Sequence, residues 1–405
     1  MRILWISPRQ CFPPNSGAKL RDYHCAKAIG QIAELTYVHF LDPGANPPSS
    51  TDMPFCRAIV SVKKPPTYTV GNLVRGLVGR WPLPILNYFS QEMATVLKNL
   101  RTKDNFDIVH FDSMHMASYE TLFTNSENPR VRSVYDWHNI ESESMKRYSV
   151  EVKSVAKRFY ANSTVTRLQK LETALLQNAF AHIVCSKREE MELASRMPGA
   201  RVATVPNGVD IAFFARPTLD LRWPPKSIIF VGAMNYYPNI DAALWFARDV
   251  WPRLRSLFPE CRLTLVGSDP APAVLALRGT EGIEVTGTVE DVRPFYHHAD
   301  VALAPLRMGG GTRLKILEAM AARVPVISTT IGAEGLAVES GRNILIADET
   351  NPESWVRAIL SLRESERLRT ELVASAMQLV RDRYDWTVIG RSLCDTYLDW
   401  LGSVQ

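Results

Sequence analysis

Two patterns of apolar residues alternate along the chain. Short apolar runs, typical of strands buried on both faces, are followed by longer segments with helical spacing of the apolar residues. The short runs predict strands at 2–7, 34–40, 57–62, 107–112, 132–137, 181–186, 201–207, 228–232, 262–267, 283–286, 301–305, 324–328 and 343–348, with 332–335 as a further sheet segment. Because strands that alternate with helices form parallel sheets, the pattern predicts an α/β fold.

The length indicates more than one domain, because 405 residues exceed what a single hydrophobic core usually contains. Segment 209–225 contains prolines and has no periodicity, so it marks the boundary. We therefore expect a first domain at 1–208, a second at 209–385 and a terminal amphipathic helix at 386–405.

One strand of the second domain is followed by a glycine loop and a helix. The predicted strand 301–305 ends before Gly309, Gly310 and Gly311, and Thr312 is expected to open the helix. Glycines let backbone N–H groups approach a ligand, and the positive end of a helix dipole attracts an anion. A triple glycine alone is more typical of a flexible turn.

Three charged residues of this helix change that interpretation. Arg313 and Lys315 lie in the expected first turn without a carboxylate, which is unfavourable for the helix dipole unless an anion binds there. Glu318 falls on the apolar face, where a carboxylate requires a hydroxyl or N–H partner. A diphosphate beside a ribose diol would satisfy all three.

Composition excludes several classes of protein. Apolar residues make up 46% and charged residues 22%, as in ordinary globular proteins. The six cysteines show no CxxC or metal-ligand spacing, so we expect reduced thiols. The first strand begins directly after Met1 without a signal-peptide core, and no apolar run reaches the ~18 residues that span a membrane. The expected location is the cytoplasm.

The net charge of +5 is unevenly distributed: residues 1–208 carry +8 and residues 209–405 carry −3. Segments 63–90 and 146–170 are basic, and the first also carries apolar and aromatic residues. Such a stretch can bind an anionic membrane surface at the inner face of the membrane, or it can be an amphipathic helix pair packed on its own sheet. No nucleic-acid-binding motif is present, so no nucleic-acid partner is expected.

Two further polar clusters lie where ligands collect in α/β sheets. Gly17 and Arg21 follow the first strand in a loop that lacks the GxGxxG pattern of dinucleotide sites. Asp136, His138 and Glu141 follow the strand at 132–137. A lone histidine at such a place is more often structural than catalytic.

The segment GGGTRLKILEAMAARVPVIST resembles the donor-binding motif of the family 4 retaining glycosyltransferases, and most of all that of bacterial sugar transferases from exopolysaccharide clusters. The resemblance implies a GT-B fold, with two Rossmann-like domains whose parallel sheets face each other across a cleft and a C-terminal helix that returns to the first domain. It also implies that Glu318 binds the nucleotide ribose.

The same resemblance assigns roles to other positions. PPNSGAKLR is similar to the glycine loop that faces the donor phosphates, with Gly17 in that role and Arg21 nearby. DWHNIES is similar to the segment whose histidine lines the sugar pocket. His138 would contact the donor hexose, with Asp136 orienting it and Glu141 facing the acceptor. The remaining implied donor contacts are Gly232, Asn235, Thr288 and Val289, the last two at the nucleobase.

Two departures from the family pattern stand out. Many relatives carry a second glutamate eight positions before the LEAM glutamate, where this chain has Gly310, so one contact to the donor sugar is missing. Many also place an arginine and a lysine in the loop at 232–239, which has neither here. We expect Arg313 and Lys315 to supply that charge.

The expected reaction is a metal-independent, retaining transfer of a hexose from a nucleotide-diphosphate sugar, with UDP or GDP as the nucleotide, to a glycan, lipid-linked or small-molecule acceptor. The chain has no DxD motif, so no metal or other cofactor is expected. Two alternatives remain open: a nucleotide-sugar epimerase, and a nucleotide-sugar-binding protein without transferase activity.

Overall fold

The structure is a computed structural model that describes residues 1–79, 81–123, 131–152, 154–215, 225–309 and 313–402. It divides into two compact units. Unit 1 contains Met1–Pro206 and Ile389–Gln405, and unit 2 contains Asn207–Val388. These limits lie within a few residues of the predicted 208/209 and 385/386 boundaries.

Unit 1 is a parallel sheet with helices between its strands. Its strands are β1 (Arg2–Ser7), β2 (Glu34–Leu41), β3 (Ala58–Lys63), β4 (Ile108–Asp112), β5 (Arg132–Trp137), β6 (Ala181–Val184) and β7 (Val202–Thr204). Its helices are α1 (Gly17–Ile29), α2 (Val70–Val78), α3 (Leu83–Leu86), α4 (Gln91–Lys103), a 3-10 helix (Met114–Leu122), α5 (Glu141–Glu151), α6 (Val155–Asn178) and α7 (Lys187–Arg196).

Unit 2 repeats this architecture. It begins with α8 (Ile211–Phe214), and its strands are β8 (Ser227–Val231), β9 (Arg262–Val266), β10 (Ile283–Gly287), β11 (Val301–Ala304), β12 (Val326–Ser328) and β13 (Leu345–Ile346). Its other helices are α9 (Tyr237–Trp245), a π-helical turn (Phe246–Val250), α10 (Trp251–Leu257), α11 (Pro272–Leu275), a 3-10 turn (Ala276–Gly279), α12 (Arg293–His298), α13 (Leu314–Ala321), α14 (Pro352–Glu364) and α15 (Glu366–Arg383).

The chain ends in α16 (Trp386–Gly402), which packs on unit 1. The Cys394 thiol donates to the Ala28 carbonyl of α1, and the Tyr397 hydroxyl contacts His110 Nδ1 on β4. Both side chains are buried, so the last helix completes the core of unit 1.

Each sheet has a topological switch point. Unit 1 has the order β3-β2-β1-β4-β5-β6-β7 and unit 2 the order β10-β9-β8-β11-β12-β13, and all pairs are parallel. In both, the strand order reverses at the central pair, β1 with β4 and β8 with β11. Loops diverge there at the carboxyl edge, which is where open α/β sheets bind ligands.

Burial of the strands on both faces explains why their sequences are continuous apolar runs. The β1 side chains from Ile3 to Ser7 are buried, as are those of β4 and β6, because helices cover both sheet faces. In unit 2 the core includes Phe230, Leu263 and Trp355, and a second cluster packs α13 between the sheet and α15.

Three predicted elements differ from the structure. Residues 146–170 show a single helical pattern in the sequence, but the structure has two helices there, because Val152 is extended and the Ser154 hydroxyl caps α6 by accepting from the Lys157 N–H. The sheet segment expected at 332–335 is a turn. The sequence after β8 indicates a helix that starts at Asn239 with this residue as its N-cap, but α9 begins at Tyr237, so the Asn239 side chain is available for other contacts.

Candidate functional site

The glycine loop of unit 2 joins β11 to α13. Gly309 has φ +105°, a left-handed conformation that favours glycine. Gly310, Gly311 and Thr312 lie outside the described residues. Arg313 has non-helical dihedrals and occupies the N-cap, so α13 begins at Leu314 and not at Thr312.

Lys315 of α13 reaches back to the central strand of the sheet. Its ammonium donates to Asn239 Oδ1 at 2.8 Å and lies 4.5 Å from the centre of the Phe230 ring. Burial is the largest cause that lowers the pKa of Lys315, to about 7, and the neighbouring Arg313 lowers it further, while Glu318 opposes the shift. An anion placed here would return the charge to this amine.

Glu318 lies one turn after Lys315 and is partly buried. Its Oε2 accepts a 2.8 Å hydrogen bond from the Tyr296 hydroxyl of α12. Burial raises the pKa of Glu318, while the bond from Tyr296 and the charge of Lys315 act against that shift. The structure thus supplies the hydroxyl partner that the sequence required for a carboxylate on an apolar face.

The other residues predicted in unit 2 lie at the same carboxyl edge of the sheet. Gly232 follows β8 and donates its N–H to the Val266 carbonyl. Asn235 is exposed in the turn before α9, and Thr288 and Val289 follow β10 at the sheet margin. Within the loop at 232–239, Asn239 is the residue whose side chain contacts Lys315.

In unit 1, His138 lies at the switch point between β1 and β4. Its Nε2 is 2.9 Å from Asp112 Oδ1, at the end of β4, and 3.5 Å from Asp22 Oδ1 of α1. Burial alone would lower the pKa of His138, but the hydrogen bond to Asp112 and the nearby carboxylates raise it above its ordinary value. The ring is 14% exposed, so one side of it faces outward.

The two carboxyl groups beneath His138 have opposite pKa shifts. Burial, followed by the charge of Asp112, raises the pKa of Asp22 to about 8. Burial also acts to raise the pKa of Asp112, but His138 and Arg9 hold it below its ordinary value. The Ser7 hydroxyl donates to Asp112 Oδ2 at 2.6 Å, and Arg9 lies 3.2 Å from Asp22. Burial and the charge of Asp112 thus favour the protonated form of Asp22, while His138 and Arg9 favour the ionised form of Asp112.

Two sequence predictions in unit 1 need correction. Asp136 does not orient His138, because its carboxylate pairs with Arg21 at 2.9–3.3 Å. Arg21 is 1% exposed and also donates to the Val205 carbonyl, so its guanidinium binds the protein interior instead of a donor phosphate. Arg21, a cation near the start of α1, therefore needs no external anion, because Asp136 of β5 in the same unit supplies the carboxylate.

Gly17 and Glu141 each occupy the start of a helix in unit 1. Gly17 is the first residue of α1 after the N-cap Ser16, and Glu141 is the first residue of α5. Burial raises the pKa of Glu141, while His138 and Arg9 act to lower it. Their predicted contacts to donor and acceptor stay predictions.

Sequence reasoning missed Asp22, Asp112, Asn239 and Tyr296. The sequence does contain an indication that Asp112 belongs to a ligand site, because this residue ends the predicted strand DIVHFD, and ligands collect at the carboxyl ends of such strands. None existed for Tyr296, whose role depends on α12 packing beside α13.

Two groups of side chains have the composition of a metal site among the described residues: Asp22 with Asp112 and His138, and His110 with Asp112 and Asp136. Both are already bonded internally. His138 contacts Asp112 directly, and arginines pair with Asp22 and Asp136. This arrangement fits an ion-paired, proton-sharing network better than a coordination sphere.

The chain matches two family models. Residues 55–213 match Glycosyltransferase Family 4, and residues 225–365 match Glycosyl transferases group 1.

No helix among the described residues has both the length and the apolar content needed to cross a bilayer.

Curated relatives match over much of the chain. The glycogen synthase of Mycobacterium tuberculosis is 23% identical over 98% of this chain and 94% of its own length. A phosphatidyl-myo-inositol mannosyltransferase of the same species is 25% identical over 74% of this chain and 75% of its own.

Solved structures share the fold. The sucrose-phosphate synthase of Thermosynechococcus elongatus superimposes with a TM-score of 0.71 at 18% identity, and all of both chains is covered. HepE of Anabaena, solved with UDP and glucose, gives a TM-score of 0.66 at 14% identity over 98% of this chain and 99% of its own. The two parallel sheets, the two family matches and these likenesses agree: the chain belongs to the family 4 glycosyltransferases, with the two-domain Rossmann-like GT-B fold.

Proposed function

We propose that this glycosyltransferase moves a hexose, with retention of configuration and without a metal ion, from a nucleotide-diphosphate sugar to a glycan, lipid-linked or small-molecule acceptor. The main support for this proposal is one turn of α13 at the switch point of unit 2. There Lys315 supplies a partly buried cation, and Glu318 supplies a carboxylate that accepts a hydrogen bond from Tyr296. The related HepE structure contains UDP, which supports UDP as the nucleotide of the donor. GDP is the other nucleotide that we propose.

Glu318 is the proposed ribose ligand. A ribose diol presents two hydroxyl donors, and a carboxylate can accept both. Because Tyr296 already donates to Oε2, the carboxylate is oriented before the ligand arrives. Preorganisation of this kind reduces the entropy cost of binding.

Lys315, Arg313 and the backbone N–H groups of the glycine loop are the proposed diphosphate ligands. In the reaction, the bond between the anomeric carbon and the diphosphate oxygen breaks, and the acceptor hydroxyl attacks from the same face. A diphosphate oxygen accepts the proton of that hydroxyl. The cations and the start of α13 stabilise the charge that develops on the leaving group, a role that a metal ion has in other transferases.

His138 is the proposed contact to the transferred hexose. Asp112 raises the pKa of His138 and so favours the imidazolium form, which donates hydrogen bonds and stabilises negative charge. The basic unit 1 is the proposed acceptor-binding domain, with Glu141 facing the acceptor.

We also propose a peripheral membrane contact through α2 and the start of α6. Val70, Val74, Val155 and Phe159 are all more than half exposed. The two helices adjoin, because Arg167 of α6 donates to the Gly76 and Gly79 carbonyls. Exposed apolar side chains flanked by lysines and arginines suit an anionic lipid surface. The mannosyltransferase relative, named for a lipid acceptor, fits this proposal.

A vesicle experiment tests the membrane proposal. Val74→Glu together with Phe159→Glu is expected to reduce co-sedimentation with phosphatidylglycerol vesicles by ~10-fold, because each change removes apolar area that would be buried in the lipid surface and adds a negative charge that anionic lipid repels. Leu257→Glu, at a half-exposed leucine of unit 2, is the matched control. Equal binding by the double variant and the control would contradict the proposal.

The donor site is tested by thermal stabilisation against UDP-, GDP-, ADP- and dTDP-sugars. At ~100 times the Kd a ligand should add ~2.7 kcal/mol of stability to the wild type. Lys315→Ala and Glu318→Ala should each remove most of this effect. Glu260→Ala, which changes an exposed carboxylate before β9 at the opposite edge of the sheet, should retain it. Variants that respond like wild type would refute the site.

Product analysis separates the alternatives. An epimerase would convert the nucleotide sugar without an acceptor, and a binding protein would show neither transfer nor slow donor hydrolysis. The transferase is expected to release the nucleoside diphosphate in proportion to glycosylated acceptor, with unchanged turnover after EDTA treatment.

A further inference from the structure

The Lys315 ammonium occupies a space that a missing side chain leaves open. A Cβ built on Gly232 would lie 2.7 Å from Lys315 Nζ and 2.8 Å from Asn239 Nδ2. These distances are well inside van der Waals contact. The ring of Phe230 and the amide of Asn239 form the remaining walls, so we call Phe230, Gly232 and Asn239 the lysine seat.

The backbone at Gly232 does not itself require glycine. Its φ lies outside the left-handed region, in contrast to Gly267 and Gly309. The backbone conformation at position 232 is therefore open to residues other than glycine. A side chain there would contact the ends of the Lys315 and Asn239 side chains. The space taken by Lys315 therefore explains the glycine.

The seat also explains where the positive charge at this edge comes from. The loop at 232–239 contains no lysine or arginine, although it follows the central strand β8. Lys315 extends from α13 to the end of that strand and brings a cation to a loop that has none of its own. Phe230 stabilises the charge by a cation–π interaction, and Asn239 accepts one of its hydrogen bonds.

We propose that Gly232 is a positioning residue for Lys315: by lacking a side chain it keeps the ammonium between Phe230 and Asn239, where it meets the donor diphosphate. This inference rests on the proposed function for the diphosphate contact. A Cβ at position 232 would displace the ends of the Lys315 and Asn239 side chains, and the three atoms nearest to it include no backbone atom, so Gly232→Ala is expected to fold normally with a misplaced cation.

A double-mutant cycle tests the proposal through binding. The Kd of UDP, or of GDP if the panel selects it, is measured by calorimetry for wild type, Gly232→Ala, Lys315→Ala and the double variant. We expect Gly232→Ala to weaken binding at least ~10-fold in the wild-type background and less than ~2-fold in the Lys315→Ala background. Gly279→Ala, at an exposed glycine with no atom near its Cβ position, should change nothing.

A second measurement needs no ligand. In protein labelled with ¹³C at lysine ε positions, the signal assigned through Lys315→Arg is titrated. Burial in the seat gives Lys315 a pKa of about 7 in the wild type. In Gly232→Ala the midpoint should return toward the ordinary value near 10.5, because the displaced ammonium is hydrated again.

The outcomes separate this inference from the proposed function. An unchanged titration in Gly232→Ala, or an equal loss of affinity in both backgrounds, would overturn the inference. If the titration shifts as expected while neither UDP nor GDP binds the wild type, the seat is real and the donor-site proposal fails. If nucleotides bind and Lys315→Ala binds as well as wild type, the diphosphate contact of Lys315 is refuted.

Discussion

At the scale of single residues, Lys315 is a group whose charge depends strongly on its surroundings. Its pKa of about 7 lies below the ordinary lysine value because of burial and then Arg313. Raising the pH through 7 therefore removes the charge in the free enzyme. We expect the Kd of the nucleoside diphosphate to rise above pH 7, by up to ~10-fold per pH unit.

Calorimetry between pH 6 and 9 measures this dependence. Lys315→Arg is the control, because a guanidinium stays protonated over the whole range. A wild-type affinity that is flat in pH would show that the charge of Lys315 does not contribute to nucleotide binding.

Asp112 is the residue that does most to raise the pKa of His138. Asp112→Asn removes the carboxylate bonded to Nε2, so the pKa of His138 should fall. Activity that needs the imidazolium is present below this pKa and is lost as pH rises through it. We expect kcat to drop at least ~10-fold at pH 8 and the alkaline limb of the rate profile to move to lower pH.

Ser7→Ala is the matched control for this change, since it removes a hydroxyl donor from Asp112 but keeps the carboxylate. Its alkaline limb should stay within a few tenths of a pH unit of wild type. A limb that stays in place in Asp112→Asn would argue that His138 acts as a neutral ring.

At the scale of elements, the donor turn depends on how α12 packs beside α13. Tyr296 lies on the first of these helices and donates to Glu318 on the second. Removing one hydrogen bond to a carboxylate typically costs ~1.5–3 kcal/mol, and solvent access to Glu318 reduces that cost. Tyr296→Phe should therefore weaken nucleotide binding ~3- to 30-fold.

The measurement is calorimetric titration with the nucleoside diphosphate, and the thermal midpoint without ligand shows whether the fold is retained. Tyr384→Phe removes another largely buried hydroxyl, which accepts from the Ala337 N–H, and should leave nucleotide affinity unchanged. If Tyr296→Phe binds as tightly as wild type, the orientation of Glu318 does not depend on α12.

At the scale of the whole molecule, the last helix belongs to the core of the unit that begins the chain. Tyr397 of α16 contacts His110, whose ring stacks on Trp5 at a centroid distance of 3.5 Å. Deleting residues 389–405 exposes this interior and should destabilise unit 1 by several kcal/mol. Unit 2 has its own core and should keep its stability.

Hydrogen exchange read by mass spectrometry tests this difference. Protection should fall in β1 and β4 of the truncated protein and stay unchanged in β8 and β11. An equal loss in both sheets would show that the two units unfold together.

The sequence by itself determined the alternation of buried strands and helices, because each apolar run records the burial of its own segment. It also determined the glycine loop before α13 and the positions of Lys315 and Glu318, since strand, loop and helix are contiguous. The family resemblance was visible in the same contiguous stretch, and both family matches confirm it.

Only the tertiary structure decided which side chains meet. Lys315 contacts Asn239, 76 positions away, and His138 contacts Asp112, 26 positions away. Such contacts depend on strand order and helix orientation, which periodicity does not encode. For the same reason Asp136, two positions before His138 in the chain, pairs instead with Arg21, 115 positions away, because Asp136 lies within β5 whereas His138 follows the end of that strand.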